Sequence, residues 1–570
     1  MSAYLQSGNE IPHVGLLGME STGLTERAIA LDLLHGLVEE SGLRLSFHRD
    51  LAFDRRDKAF REIVTTPRLD ALLLSMRPTS AYLIDALEKA LAERAARGGS
   101  KPLIVMGGPT ALEAGSDLRA RFPGAIVCPG DAETGFPLML KALMSKAPEL
   151  ATMNSVRTLL DRSARRFSMP AHYSTARCVA SGGTVWVEAS RGCALKCAFC
   201  ILSTEDTPTT WFPRPVDDLL DEIEYLQHKF GVTDVSFADY SAFETKDNVD
   251  EFLRKVRLRG LKFTFRCDMR LGTARRIRHR LPELHAAGLR AIYAGIESFV
   301  PEQRRLYKKG YPGKEIIDYI QSLGIFVAVG FIMLDPLYSP AQFQLQVRGV
   351  REQGLLRNIA TTFKTMRVQR NTRYEKIALG EGIVTGVNPD LYTYSYRCSD
   401  PRMEVIRQVM EFLHQTTKDV YYQPYIENNI RQRGDLDADR LAIFGTITDR
   451  YKRLQIEFLE SLAGIAVENT SVDRVARLVS TETRAFCAHR KDVFDKTARD
   501  YQALLDTGLQ HYHQDLQKFI NVYESVPDYD ESIIDIPRPS PSAPAAKDAR
   551  SRHLKILPKE TDPTNASMDS

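Results

Sequence analysis

Cys193, Cys197 and Cys200 stand in the run Ser-Arg-Gly-Cys-Ala-Leu-Lys-Cys-Ala-Phe-Cys, directly after an apolar stretch of β type. Structural zinc and iron–sulfur centres usually close with four protein ligands. Three thiolates packed so tightly therefore leave one metal corner for an outside ligand, and an open corner is where chemistry can occur. A zinc knuckle completed by a distant cysteine such as Cys178 is the competing arrangement. Zinc sites usually pair two CxxC knuckles, however, and this chain offers a single lopsided triplet. Eight cysteines among 570 residues, three of them clustered, argue for a metal site in a reducing compartment rather than a disulfide framework.

The elements around the cysteines must hold them at a strand end. The segment TVWVEAS leads into the loop, and VTDVSFAD, LKFTFRCD, AIYAGIES, FVAVGFIML and a weaker IATTFKTMRV follow as apolar strands, each trailed by a helical segment. Six or so such units over residues 183–399 fit a partial (β/α)6 barrel whose strand ends share one mouth. Residues 13–145 alternate HVGLLGM, LRLSFHRD, ALLLSM, PLIVMGGP and AIVCPG with amphipathic stretches, the pattern of a flavodoxin-like or Rossmann-like doubly wound parallel sheet. The fold class is thus α/β: such a front domain, then the barrel, then a helical carboxyl-terminal domain. Residues 1–12 and 531–570 read as disordered ends, the latter through PRPSPSAPAA; 146–182 read as a linker, and 400–530 as long helices capping the barrel.

Composition limits the partners. Lys and Arg number 76 against 73 Asp and Glu, a net charge of +3, so no global field recruits nucleic acid or a membrane. The first thirty residues carry no signal pattern, and no apolar run has the length of a membrane span, which predicts a cytoplasmic protein. Eleven basic residues between Arg254 and Arg280 form either a solvated helix face or a docking surface for an acidic electron donor.

The CxxxCxxC spacing, with Phe199 before the last cysteine, resembles the signature of the radical S-adenosylmethionine (SAM) superfamily. The resemblance implies a [4Fe–4S] cluster with three irons on Cys193, Cys197 and Cys200 and the fourth chelated by SAM, whose cleavage yields a 5′-deoxyadenosyl radical. It also implies an acceptor for the SAM ammonium at Asp239, a SAM-carboxylate or ribose contact from Arg266 and Asp268 after the third strand, and a ribose or substrate contact from Glu297 or Ser298, with a structural salt bridge as the alternative for each. In the front domain, Leu74-Ser75-Met76-Arg77, Val105-Met106-Gly107-Gly108-Pro109 and Pro129-Gly130-Asp131-Ala132-Glu133 resemble the Ser loop, GG turn and acidic segment of the cobalamin-dependent subgroup. Corrin contacts at Ser75, Gly107, Gly108, Gly130 and Glu133 follow from that likeness, which spans roughly 13–380.

Two departures matter. Many cobalamin carriers place a coordinating histidine in an Asp-x-His-x-x-Gly loop, whereas here the loop reads Met19-Glu20-Ser21-Thr22-Gly23-Leu24. The resemblance therefore implies base-off cobalamin without a histidine ligand, and Arg77 either beneath the corrin, where a guanidinium cannot donate to cobalt, or at a phosphate or propionamide contact or on the surface. Arg370-Asn371-Thr372-Arg373 stands where relatives often carry Pro-Gly-Thr.

The activity implied is methyl transfer from SAM through methylcobalamin to a carbon of a small-molecule or natural-product substrate, fed by a flavodoxin- or ferredoxin-type donor. Polar methylation of an aromatic ring such as tryptophan, and a non-methylating rearrangement or cyclisation, are the alternatives within the family. An RNA methylthiotransferase normally needs a second cysteine triplet in its front domain, which here offers only Cys128. A mere cobalamin carrier would not need the cysteine triplet.

Overall fold

The computed structural model describes residues 10–19, 29–51, 54–76, 83–108, 110–111, 114–128, 174–180, 184–203, 211–311, 313–359, 361–388, 393–416 and 438–506, together with positions 133, 136, 139, 143 and 533–534. The expected loop from Glu20 to Leu24, Arg77, Gly130, most of the linker, Tyr421–Tyr425 and nearly all of the tail lie outside them.

The front domain is a parallel sheet of β1 (His13–Met19), β2 (Arg44–Asp50), β3 (Ala71–Met76), β4 (Leu103–Gly107) and β5 (Ile126–Val127), in the order β2-β1-β3-β4-β5. Parallel sheets carry helices on both faces, which is why these strands are apolar almost throughout. Alternate residues serve opposite cores: Leu72, Leu74 and Met76 enter one, Ala71 and Leu73 the other. The strand order reverses between β1 and β3, the switch point whose carboxyl end forms the ligand crevice of such sheets. There Gly18 aligns with Ser75, and Ser75 with Gly107, a row of small residues across three strands.

The second sheet begins with β6 (Trp186–Val187). A short antiparallel hairpin, β7 (Ser190–Arg191) with β8 (Phe212–Pro213), interrupts it around the cysteine loop. It resumes with β9 (Asp234–Phe237), β10 (Thr264–Asp268), β11 (Leu289–Glu297) and β12 (Phe326–Phe331), all parallel in the order β12-β11-β10-β9-β6. Local signals set the helices between strands. Thr245 caps Lys246–Arg259 by accepting from the Asn248 amide, and left-handed Gly260 ends it. Outward residues such as Phe237 and Phe265 stack at 4.9 Å, and Cys267 joins this core as strand alternation requires.

The expected sixth strand is reduced to single parallel bridges, Val329 with Ile359 and Leu334 with Thr365. The chain then leaves the barrel: β13 (Val368–Gln369) pairs antiparallel with β15 (Thr393–Tyr396), which also pairs with β14 (Val384–Val387). Alternation of apolar and polar residues marks a strand but does not say which sheet receives it, so periodicity missed this switch.

Helices Pro401–Thr416, Ala438–Glu468 and Val472–Asp506 follow. Their apolar faces belong to the same core as the barrel's outer side, where Phe363 meets Phe458 and Phe486 edge-on. They extend the core at the flank carrying helix Pro340–Glu352. Among the described residues no helix is long and apolar enough to cross a membrane.

Candidate active site

The cysteine loop begins where β6 and the hairpin end. Asp239, just past β9, accepts hydrogen bonds from the Ala189 amide at 3.1 Å and from the Ser190 amide, while Ser190 Oγ donates to the Ser241 carbonyl at 3.0 Å. Gly192, at φ 76°, then turns the chain into Cys193, whose sulfur accepts from the Leu195 amide at 3.4 Å. Further along, the Ala198 amide donates to the Tyr307 carbonyl, and the Ala198 carbonyl accepts from the Tyr374 amide. Both tyrosine hydroxyls donate to buried Asp335, at 2.5 Å and 2.7 Å. Phe199 packs edge-on against the Tyr307 ring at 5.1 Å. Three thiols are thus held on a loop fixed from β9, from helix Pro301–Tyr307 and from helix Arg373–Gly380.

Burial pushes the Cys200 thiol up to about 12 and Cys197 in the same direction. Unliganded, these sulfurs keep their protons; a cationic centre is what makes them thiolates, and its binding releases protons. All eight cysteines are free thiols. Among the described residues no three His, Cys, Asp or Glu side chains gather on a single metal ion.

The strand ends opposite the loop are crowded with charge. Glu297 ends β11 in a left-handed conformation, φ 69°, beside a register shift, and its carboxylate takes Lys309 Nζ at 2.8 Å. A side chain at Gly295 would collide with both partners, so that glycine makes room for the pair. Burial opposes the charge on Lys309, but Glu297 and the neighbouring Cys197 outweigh it and raise its pKa. Arg266 donates to Ser236 Oγ at 2.7 Å and Thr184 Oγ1 at 3.1 Å and lies over the Trp186 ring. Ser298 is buried, bonded to Tyr338 Oη and Gln346 Oε1 and accepting from the Val300 amide at the start of helix Pro301–Tyr307.

In this structure Asp239 and Ser298 hold backbone amides, Glu297 holds Lys309, and Arg266 holds Ser236 and Thr184. Asp268 differs: among the described residues its carboxylate accepts no hydrogen bond, and burial pushes its pKa up to about 7 against the pull of Arg266 and Lys309. Lys309 was missed in sequence because it sits in a helix–helix turn with no motif; the Gly-x-Glu pattern of Gly295 and Glu297 was the available signal.

In the front domain, Gly108 has φ 96°, and any side chain there would run into the Met76 carbonyl, whereas a Cβ on Gly107 would enter open space. A flat ligand can therefore approach backbone at the β4 end. Glu133 faces the barrel, paired with Arg191 at 2.9 Å. Asp117 similarly pairs with Arg370, in the loop that departs from the family's pattern. Two ion pairs thus tie the front domain to the rest of the chain, one beside the cysteine loop and one after β13.

At least four members of the basic run stand in ion pairs. Arg259 pairs with Asp217 and Asp221, Lys255 with Asp217 and Glu251, Arg280 with Asp250 and Glu283, and Arg270 with Glu244.

Residues 187–344 match the radical SAM superfamily. An uncharacterized methyltransferase of Pyrococcus horikoshii is 25% identical over 154 residues, 25% of this chain, and the match spans about a third, 32%, of that relative's length. Among solved structures, the cobalamin-dependent SAM radical enzyme OxsB, with aqua-cobalamin and SAM bound, aligns over 92% of this chain and 85% of its own at TM-score 0.69 and 14% identity. The radical SAM methyltransferase TsrM from Kitasatospora setae, with tryptophan and a SAM analogue bound, aligns over 66% and 77% at TM-score 0.52 and 17% identity. At such identities the likeness is one of fold. Residues 187–344 thus carry the match to the radical SAM superfamily, and the chain shares the fold of the OxsB structure over 92% of its length.

Proposed function

We propose that this chain is a cobalamin-dependent radical SAM methyltransferase that transfers a SAM-derived methyl group to a carbon of a small-molecule substrate. The observation that carries the reading is the triplet of thiols at the carboxyl end of the first barrel strand, in a chain whose preceding sheet ends in a side-chain-free turn at Gly107. Three sulfurs on one tethered loop suit the three protein-held corners of a [4Fe–4S] cluster. The open approach at Gly107 and the close packing of Gly108 suit a broad, flat ligand such as a corrin. When bound, cluster, SAM and base-off cobalamin supply reductive cleavage of SAM and carriage of its methyl group.

The chain's own residues do the positioning. Asp239 and the Tyr307–Asp335–Tyr374 clamp hold the sulfurs still, which is the preorganisation an electron-transfer centre needs. The Glu297–Lys309 pair puts fixed charge beside the loop, and Asp268 is a carboxyl group at the end of β10 available to a bound amino or hydroxyl group. Arg77 and Gly130 are assigned to the corrin on resemblance alone. A reducing cytoplasm and a flavodoxin- or ferredoxin-type donor complete the reading, supported by the free thiols.

The test is anaerobic reconstitution followed by incubation with SAM and dithionite. Release of both 5′-deoxyadenosine and S-adenosylhomocysteine supports radical methyl transfer. S-adenosylhomocysteine alone supports polar methylation, and 5′-deoxyadenosine alone supports rearrangement. Release of neither overturns the assignment.

A further inference from the structure

Arg191 is tied to two carboxylates at once. Its Nη2 and Nη1 reach Glu133 Oε1 and Oε2 at 2.9 and 3.1 Å, while Nε and Nη2 reach Glu188 Oε1 and Oε2, both at 2.7 Å. The pair is largely shielded from water, with side-chain exposures of 9% for Arg191 and 10% for Glu133. Glu188 belongs to the barrel; Glu133 comes from the front domain, directly after the Pro129–Ala132 segment. On the other side, Arg191 is separated from Cys193 only by left-handed Gly192. Two residues of chain span at most about 7 Å, so the backbone that carries the Arg191 fork stands close to the backbone of the first cysteine.

We infer that Arg191 is a positioning residue that couples the occupancy of the front-domain site to the geometry of the cysteine loop, through its shared hold on Glu133 and Glu188. The inference rests on the proposed function, since it presumes a corrin at the front sheet's carboxyl edge. Only a planar fork can serve two carboxylates bidentately, which explains arginine rather than lysine here. Coupling of this kind is reciprocal: what steadies Glu133 steadies Arg191, and the reverse.

The experiment uses the full chain, wild type against R191Q, R191K, E133Q and the R191Q/E133Q double variant. Hydroxocobalamin affinity is read by visible absorption, iron and sulfide by analysis, and the reduced cluster by electron paramagnetic resonance with and without cobalamin. The expected result is that R191Q, though remote in sequence from the front site, weakens cobalamin binding about tenfold. E133Q should do the same, and the double variant should be no worse than the poorer single. R191K should fall between, with iron retained throughout, and cobalamin should shift the cluster spectrum in wild type but not in R191Q. Cobalamin affinity unchanged in R191Q and R191K, or losses that multiply in the double variant, overturns the inference, because Glu133 then acts on the corrin directly. A wild type that takes up neither iron nor cobalamin defeats the functional reading instead.

Discussion

The two parallel sheets end in opposite ways. At the front sheet's carboxyl edge the aligned positions are Gly18, Ser75 and Gly107, nearly bare backbone, and Gly107 opens onto space. At the barrel's edge the side chains are long, charged and mutually engaged: Asp239 on two amides, Glu297 on Lys309, Arg270 on Glu244. A large flat ligand is gripped by shape and backbone proximity, so its site is built by removing side chains. A compact charged assembly is gripped by ligands and fixed charges, so its site is built by adding them and holding each in place. The ion pairs Glu133–Arg191 and Asp117–Arg370 join the two designs.

The sharpest way to break the comparison is to remove one site and watch the other. Cys197→Ala should abolish cluster assembly and drop 5′-deoxyadenosine formation to background, while cobalamin uptake, measured by visible absorption, persists. Gly108→Ala should do the converse, keeping iron and losing cobalamin. The left-handed backbone alone costs about 1–3 kcal/mol for a residue with a side chain, and the Met76 carbonyl adds a clash. Gly107→Ala sharpens the point: no atom of the described residues beyond its chain neighbours lies within 4 Å of the added Cβ, so cobalamin affinity should fall with the melting temperature unchanged.

Smaller effects follow from the holding residues. Asp239→Asn keeps the shape but can accept at only one oxygen, leaving a buried amide donor poorly paired at a cost of about 1–3 kcal/mol. Iron should then be lost faster to a chelator, with total iron at loading unchanged. Far from both sites, Lys452 is buried against Thr362 Oγ1, and burial pushes its pKa down to about 7. The unfolded chain, with a lysine pKa near 10.4, binds that proton more tightly than the folded one. The stability this residue contributes is therefore full above about pH 10 and is lost as pH falls through about 7. Lys452→Met should melt higher than wild type at pH 6 and equal to it near pH 10.

The sequence revealed these regions unequally. Parallel strands buried on both faces must be apolar throughout, so β1 to β4 and β9 to β12 stood out, and the strand ends carried the cysteines and glycines with them. Cys267, between Arg266 and Asp268 on β10, faces the outer core, as period-two alternation requires. What local patterns could not show was partnership across the chain. Nothing near Glu133 indicates that it faces Arg191, and nothing near Asp239 or Ser298 indicates that backbone amides claim them. The fate of IATTFKTMRV was hidden for the same reason, because pairing is decided by which edge is free rather than by the strand's own residues. Lys309 had no local signal at all, although the glycine two positions before Glu297 marked the space it fills.

The most direct test of the account is the metal content of the full chain, reconstituted without oxygen in the presence of hydroxocobalamin, iron and sulfide. Roughly four irons, four sulfides and a single cobalt per chain are expected, with iron and sulfide lost together and cobalt kept when Cys193, Cys197 or Cys200 is replaced. Zinc in place of iron, or cobalt absent while iron is full, would contradict it.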